Sequence, residues 1–195
     1  GAVDMVNVAV AQTGRKDDDD GWYPNREAWC ADFVLDVARV AGQTGAVPDA
    51  PANAACGTFR NALVKAGAIE VETAQAGDLV FYCSTSGDTT YHVGIMKDSR
   101  YSVEGNALLN GVFQVVDNRD TMTYTTTKGL SIANGDIKRV FIRPNYSNST
   151  NDVAVTSVVA SELANKINWL STQYKHGEYW NQYNGSLDKT GPNPC

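Results

Sequence analysis

Within the first 146 residues the hydrophobic period changes once, at "AGDLVFYC", and that change restricts the fold more than any other feature. Ahead of it, apolar residues recur at helical spacing. Residues 3–12 read as one helix and residues 28–41 as a second, in which Phe33, Val34, Val37, Ala38 and Ala41 share a buried face. Pro24 and Asn25 suit the start of the second helix, with Asn25 as its N-cap. Beyond the Pro-punctuated "TGAVPDAPANAA", the segment "CGTFRNALVKAG" predicts a third helix closed by Gly67. After the change come short segments of strand texture: Leu79 to Tyr82, "YHVGIM", "YSVEGN", "GVFQVV", "TMTYTTT" and "DIKRVFIRP". Helices followed by a run of antiparallel strands predict an α+β fold.

The strand run ends near Tyr146, where the polar "NYSNSTND" reads as a linker. One domain is therefore expected over residues 1–146. Residues 147–195 are expected to hold the linker, a helix striped by Val159, Leu163, Ile167, Leu170 and Tyr174, and an aromatic, Gly-rich tail that reads as the start of another module. A net charge of −6, reinforced by "DDDD" at Asp17 to Asp20, argues against nucleic acid or an anionic membrane as the main partner. No apolar stretch approaches the roughly 20 residues needed to span a bilayer, so no membrane span is expected. The opening "GAVDMVNVAVAQTG" has Asp4 and no basic leader, and reads as an amphipathic helix with any export signal already removed.

Cys30 stands one turn ahead of Phe33 and Val34 on the buried face of the second helix. A helix N-terminus supplies unpaired N–H groups and a positive dipole end, which favour a thiolate over a thiol. The commoner fate of a free cysteine is to be a small buried apolar residue, and position alone favours that reading. A base is the second requirement, and the chain has two histidines, His92 and His176. Pairing Val93 with Val103 and Ile95 with Tyr101 gathers the apolar residues of "YHVGIM" and "YSVEGN" on one face, which places His92 opposite Glu104 on the other. Asn106 points to that same face. Without the cysteine, such a pair reads equally well as structural. With it, the set is a nucleophile, a base and an orienting acceptor, the arrangement used for acyl transfer.

"AWCADFV", "AGDLVFYCSTSGDTTYHVGIM" and "YSVEGN", in this order and spacing, resemble the CHAP domain, the cysteine, histidine-dependent amidohydrolases and peptidases of bacterial and phage cell-wall lysis. That family is related to the NlpC-like and papain-like cysteine peptidases. The resemblance runs from about the first helix to "VFIRPNY" and leaves the tail uncovered. It implies N-terminal helices packed on an antiparallel sheet, with Cys30 as nucleophile, His92 as general base, Glu104 as orienting acid and Asn106 as a further polar member of the site. The family often has Gln before the nucleophile, where this chain has Trp29. The backbone N–H of Cys30 is then the expected oxyanion donor, with Tyr23, Trp29 and Tyr91 as substrate-binding candidates. Some phage relatives carry calcium in an Asp-rich loop before the cysteine, which draws attention to Asp18, Asp20 and Asp32. These aspartates are displaced from that pattern, a solvated acidic loop is the favoured reading, and no cofactor is expected.

The resulting expectation is a secreted or cell-wall, monomeric peptidoglycan hydrolase that cleaves an amide or peptide bond through a cysteine thioester. Two alternatives stay open: a thiol amidase acting on a non-wall amide, and a non-catalytic wall-binding protein on the same fold. The four cysteines include no C-x-x-C pair, so a zinc site is not expected. Cys56 opens a helix and Cys83 ends a strand; they are either bridged or two buried thiols, and Cys195 is expected to have no partner. His176 reads as a surface residue, and Tyr179 and Trp180 either stack on sugars or pack locally.

Overall fold

The computed structural model describes residues 1–16, 28–49, 55–123 and 137–146. Among them are three helices, α1 (Ala2–Val10), α2 (Cys30–Val40) and α3 (Cys56–Lys65). They are joined by strands β1 (Ile69–Val71), β2 (Leu79–Cys83), β3 (Thr90–Met96), β4 (Tyr101–Leu109), β5 (Val112–Asp120) and β6 (Lys138–Arg143). The strands form one antiparallel sheet in the order β1-β6-β2-β3-β4-β5. The architecture is α+β, with the helices ahead of the sheet in sequence.

Leu79, Phe81, Val93, Ile95, Val103 and Ile142 line one sheet face and share a core with Met5 and Val8 of α1, Phe33, Val34 and Val37 of α2, and Phe59 and Leu63 of α3. Val80, Tyr82 and Met96 lie on the other face, packed with Ala74, Ile137 and Phe141. Strand β2 is thus covered on both sides, which explains why "LVFYC" runs apolar without alternation. Each large apolar side chain so buried contributes about 1.5–3 kcal/mol of transfer free energy.

The helices fall where the periodicity puts them, but the start of α2 differs. Its N-cap is Trp29, at φ −104 and ψ 19 and without a side-chain capping bond, and not Asn25, which lies outside the described residues. Trp29 is fully buried, so tertiary packing of its ring fixes the start in place of a polar cap. Strand β1 was not expected; three largely exposed residues at the sheet edge leave no periodic signal. In the expected strand "TMTYTTT", the residues from Thr121 to Thr123 form a turn after β5, and the remainder lies outside the described residues. The expected helix with Val159 and Tyr174, and the tail with His176, Tyr179, Trp180 and Cys195, also lie outside them.

The "GD" ahead of β2 ties the sheet to the start of α1. Gly77 has φ +87, and a Cβ there would stand 2.5 Å from the Ala2 Cβ, so both conformation and space require glycine. Asp78 is 1% exposed and accepts two hydrogen bonds of 2.9 Å from Arg143 of β6. The Tyr146 hydroxyl donates to the Gly77 carbonyl at 2.6 Å, which holds the end of the described sheet against this turn.

Candidate active site

Cys30 is the first residue of α2 and is fully buried. Phe33 N–H already bonds the Trp29 carbonyl at 2.9 Å. The N–H groups of Cys30, Ala31 and Asp32 precede the first intrahelical donor, Phe33, and form the positive end of the helix beside the thiol. Gly105 of β4 sets how closely this helix end approaches the sheet. A Cβ at Gly105 would lie 2.5 Å from the Phe33 Cβ and 2.7 Å from the Trp29 ring. Only a residue without a side chain allows α2 to rest there.

The β3–β4 register differs from the expected one by two residues: Ile95 pairs with Val103 and Met96 with Ser102. Turn chemistry decides this. Lys97 N–H bonds the Tyr101 carbonyl at 2.8 Å, and the Asp98 carboxylate accepts from Arg100 N–H at 2.7 Å and Tyr101 N–H at 2.8 Å. The hairpin therefore closes over Asp98, Ser99 and Arg100, and Ile95 finds its partner two residues further along than the hydrophobic pattern suggested. A slip of two preserves which face each residue occupies. It moves Glu104 from opposite His92 to opposite Gly94. A Cβ at Gly94 would stand 2.6 Å from Glu104 Cγ, so the glycine opens the diagonal path by which the carboxylate reaches His92. The ladder ends before His92, which leaves the imidazole accessible both to Glu104 and to Cys30 at the end of α2.

His92 Nε2 and Glu104 Oε2 are 3.0 Å apart, and both side chains are buried. Glu104 Oε1 accepts from the Tyr82 hydroxyl at 2.7 Å and from Ser102 Oγ at 2.6 Å, and Arg119 Nε lies 3.6 Å from Oε2. Burial alone would raise the Glu104 pKa, but the hydrogen bond and charge of His92, then Arg119 and Ser102, lower it to about 2. Burial likewise opposes imidazolium; the Cys30 thiolate charge and its hydrogen bond, followed by Glu104, overcome this and raise His92 to about 10. Nε2 is hydrogen-bonded to Glu104, and the other ring nitrogen, Nδ1, is also buried. Tyr82 pairs with His92 across β2 and β3, its ring 5.8 Å away. Burial and the Glu104 charge push its pKa up, so it stays a neutral donor.

Two bulges bracket Glu104. Between the pairs Ser102–Arg119 and Glu104–Val116 the extra residue is on β5, and between Glu104–Val116 and Ala107–Gln114 it is on β4. Asn118 (φ 54) and Asn106 (φ 53) take the left-handed conformation in these intervals. Asn106, expected as a polar site member, is thus placed as the residue that bends β4 just past Glu104.

The other candidates scatter. Trp29 is fully buried edge-on to Phe33 at 6.4 Å; its place is in the helix–sheet packing. Tyr91, beside His92, is 38% exposed. Asp32 is buried in the first turn of α2, while Tyr23, Asp18 and Asp20 lie outside the described residues. Among the described residues no group of three or more His, Cys, Asp or Glu is arranged to hold a metal ion. Sequence reasoning missed Tyr82, Ser102, Arg119, Gly94 and Gly105. Ser102, two residues before Glu104 on one strand face, and Tyr82, the polar tip in an apolar strand, carried the only readable signals.

The Cys56–Cys83 bridge does not form. Cys83 is free, with Thr90 Oγ1 at 3.6 Å and Arg60 at 3.8 Å from its sulfur. Cys56 is disulfide-bonded, and its sulfur lies 3.5 Å from that of Cys30. Comparisons with protein-family models, curated proteins and solved structures return no match to this chain.

Proposed function

We propose that the protein is a cysteine amidase or endopeptidase that hydrolyses peptidoglycan, on a papain-like, CHAP-type arrangement of helix and sheet. The observation that carries this reading is a buried histidine hydrogen-bonded to a fully buried glutamate, with a buried cysteine at a helix N-terminus whose charge acts on that histidine. The wall as substrate rests on the resemblance of "AWCADFV", "GDLVFYC", "YHVGIM" and "YSVEGN" to the wall-lytic family.

In the proposed reaction the Cys30 thiolate attacks the amide carbonyl, and the oxyanion is received by the N–H groups that open α2. His92, as imidazolium, gives its proton to the leaving amine, and the acyl group remains on sulfur as a thioester. The now neutral imidazole takes a proton from water, which attacks the thioester and frees the carboxylate product. Glu104 keeps Nε2 hydrogen-bonded throughout, and Tyr82 and Ser102 keep Glu104 in place. Cys30 is fully buried, so substrate reaches it only when the surroundings of the helix end open.

Mass spectrometry of the soluble fragments released from purified sacculi tests this reading and identifies the bond. New muramic-acid carboxyl ends specify an amidase, and new peptide termini an endopeptidase. Sacculi left intact by active-site-alkylatable protein would overturn the wall as substrate.

A further inference from the structure

Glu104 Oε2 is shared between two cations, and the proposed hydrolysis uses one of them. His92 Nε2 lies 3.0 Å away on β3, and Arg119 Nε lies 3.6 Å away on β5, the strand on the other side of β4. Oε1 is already occupied by Tyr82 and Ser102. The β5 bulge aims Arg119 at this oxygen. Asn118 takes φ 54 there, and its N–H and Lys97 Nζ both bond Asp117 Oδ1, at 2.6 and 2.7 Å, while Lys97 Nζ also bonds Asn118 Oδ1 at 2.8 Å. Arg119 then pairs with Ser102, and its side chain is 17% exposed. Among the described residues, the titratable groups facing the His92–Glu104 pair are Cys30 from α2, Tyr82 from β2 and Arg119 from β5.

We propose that Arg119 is a positioning residue that balances the buried Glu104 charge once His92 has given its proton away, an inference that rests on Cys30 and His92 being the reacting pair. In the resting site two ion pairs compensate each other's charges, the Cys30 thiolate with the His92 imidazolium and Glu104 with Arg119. Attack forms the bond from sulfur to the carbonyl carbon, the carbon–nitrogen bond of the amide breaks, and the His92 proton leaves with the amine. Cys30 as thioester and His92 as imidazole are then both neutral, while Glu104 is still a carboxylate with 0% exposure. A lone charge at that depth is costly, and it would draw a proton back onto the pair. Arg119 is the cation left to offset it. With Arg119 in place the imidazole stays neutral and takes the proton from the attacking water. Without it the pair keeps its proton to higher pH, and hydrolysis of the thioester stalls near neutrality.

Burial opposes the His92 imidazolium, and of the groups that offset this Cys30 acts most strongly. Cys30→Ala in the full chain therefore stands in for the neutral sulfur of the thioester, and NMR titration of the His92 ring then reads the pair without any substrate. Adding Arg119→Gln should raise the His92 midpoint by about one pH unit or more, the opposite of what loss of the Glu104 carboxylate does. Arg119→Lys, which keeps the charge, should return the midpoint most of the way. Lys97→Ala, which releases the bulge from the surface side, should raise it in the same direction and decides the matter if Arg119→Gln does not fold. With Cys30 restored, fragment release from sacculi by Arg119→Gln should fall about tenfold or more at pH 7 and recover as the pH rises, with an acyl adduct on Cys30 visible by intact mass. A His92 midpoint that is unchanged or lowered in the folded variants would overturn the role of Arg119 and leave the hydrolase reading intact. A raised midpoint in a protein whose wild type releases no fragments would uphold the charge balance and count against the wall as substrate.

Discussion

Glu104 keeps its charge in a fully buried position because His92, Tyr82, Ser102 and Arg119 all converge on its two oxygens. Removing the charge while keeping the shape, Glu104→Gln, should lower kcat/KM strongly, though less than His92→Ala, since a held imidazole still accepts a proton. The His92 pKa should fall in the same variant, because the carboxylate is one of the groups that raise it; NMR titration of the ring reads this directly. Tyr82→Phe leaves Oε1 with Ser102 alone and should cost about 1–3 kcal/mol of stability, measured by urea unfolding. The pair also sets a stability window. Glu104 is depressed from 4.5 to about 2, so its contribution is present above the unfolded value and is lost as pH falls through about 2. His92 is raised from 6.5 to about 10, so its contribution is complete below 6.5 and is lost as pH rises through about 10. The stability difference between wild type and the double variant His92→Ala/Glu104→Gln should therefore be largest near pH 5–6 and shrink toward both extremes. A difference independent of pH would remove the ion pair.

Among the elements, two glycines decide whether α2, β3 and β4 meet. Gly105→Ala drives a methyl into Phe33 and Trp29 and should cost about 1–3 kcal/mol through overpacking. Gly94→Ala would place a methyl 2.6 Å from Glu104 Cγ, pushing the carboxylate off His92, and should depress kcat/KM more than Tm. Equal losses of activity and stability in both variants would mean that neither glycine shapes the site specifically. The three helices were legible because their apolar spacing is long and regular, and the His92–Glu104 partnership was legible because a two-residue slip keeps both on one face. The register itself was not legible: it follows from the Asp98 carboxylate binding two backbone N–H groups, a local bond that outweighs the apparent apolar matching. The start of α2 was misread for a related reason, since the buried Trp29 ring, and no polar cap, marks it.

At the scale of the molecule, the sheet carries the histidine and glutamate on β3 and β4 while the cysteine arrives on a helix, so the site exists only when the two layers are docked. Phe33→Ala, which empties the contact beneath the helix end, should destabilise by about 3–5 kcal/mol and abolish activity once the layers separate. The polar support around Glu104 could not be foreseen from the chain, because Tyr82, Ser102 and Arg119 come from three strands and meet only after folding. The most direct measurement is fragment release from purified sacculi by wild type and Cys30→Ala side by side, with thermal unfolding of each. The expected result is a fall in turnover of about 10³-fold or more with Tm nearly unchanged; turnover within about tenfold of wild type in a folded Cys30→Ala protein would contradict Cys30 as the nucleophile.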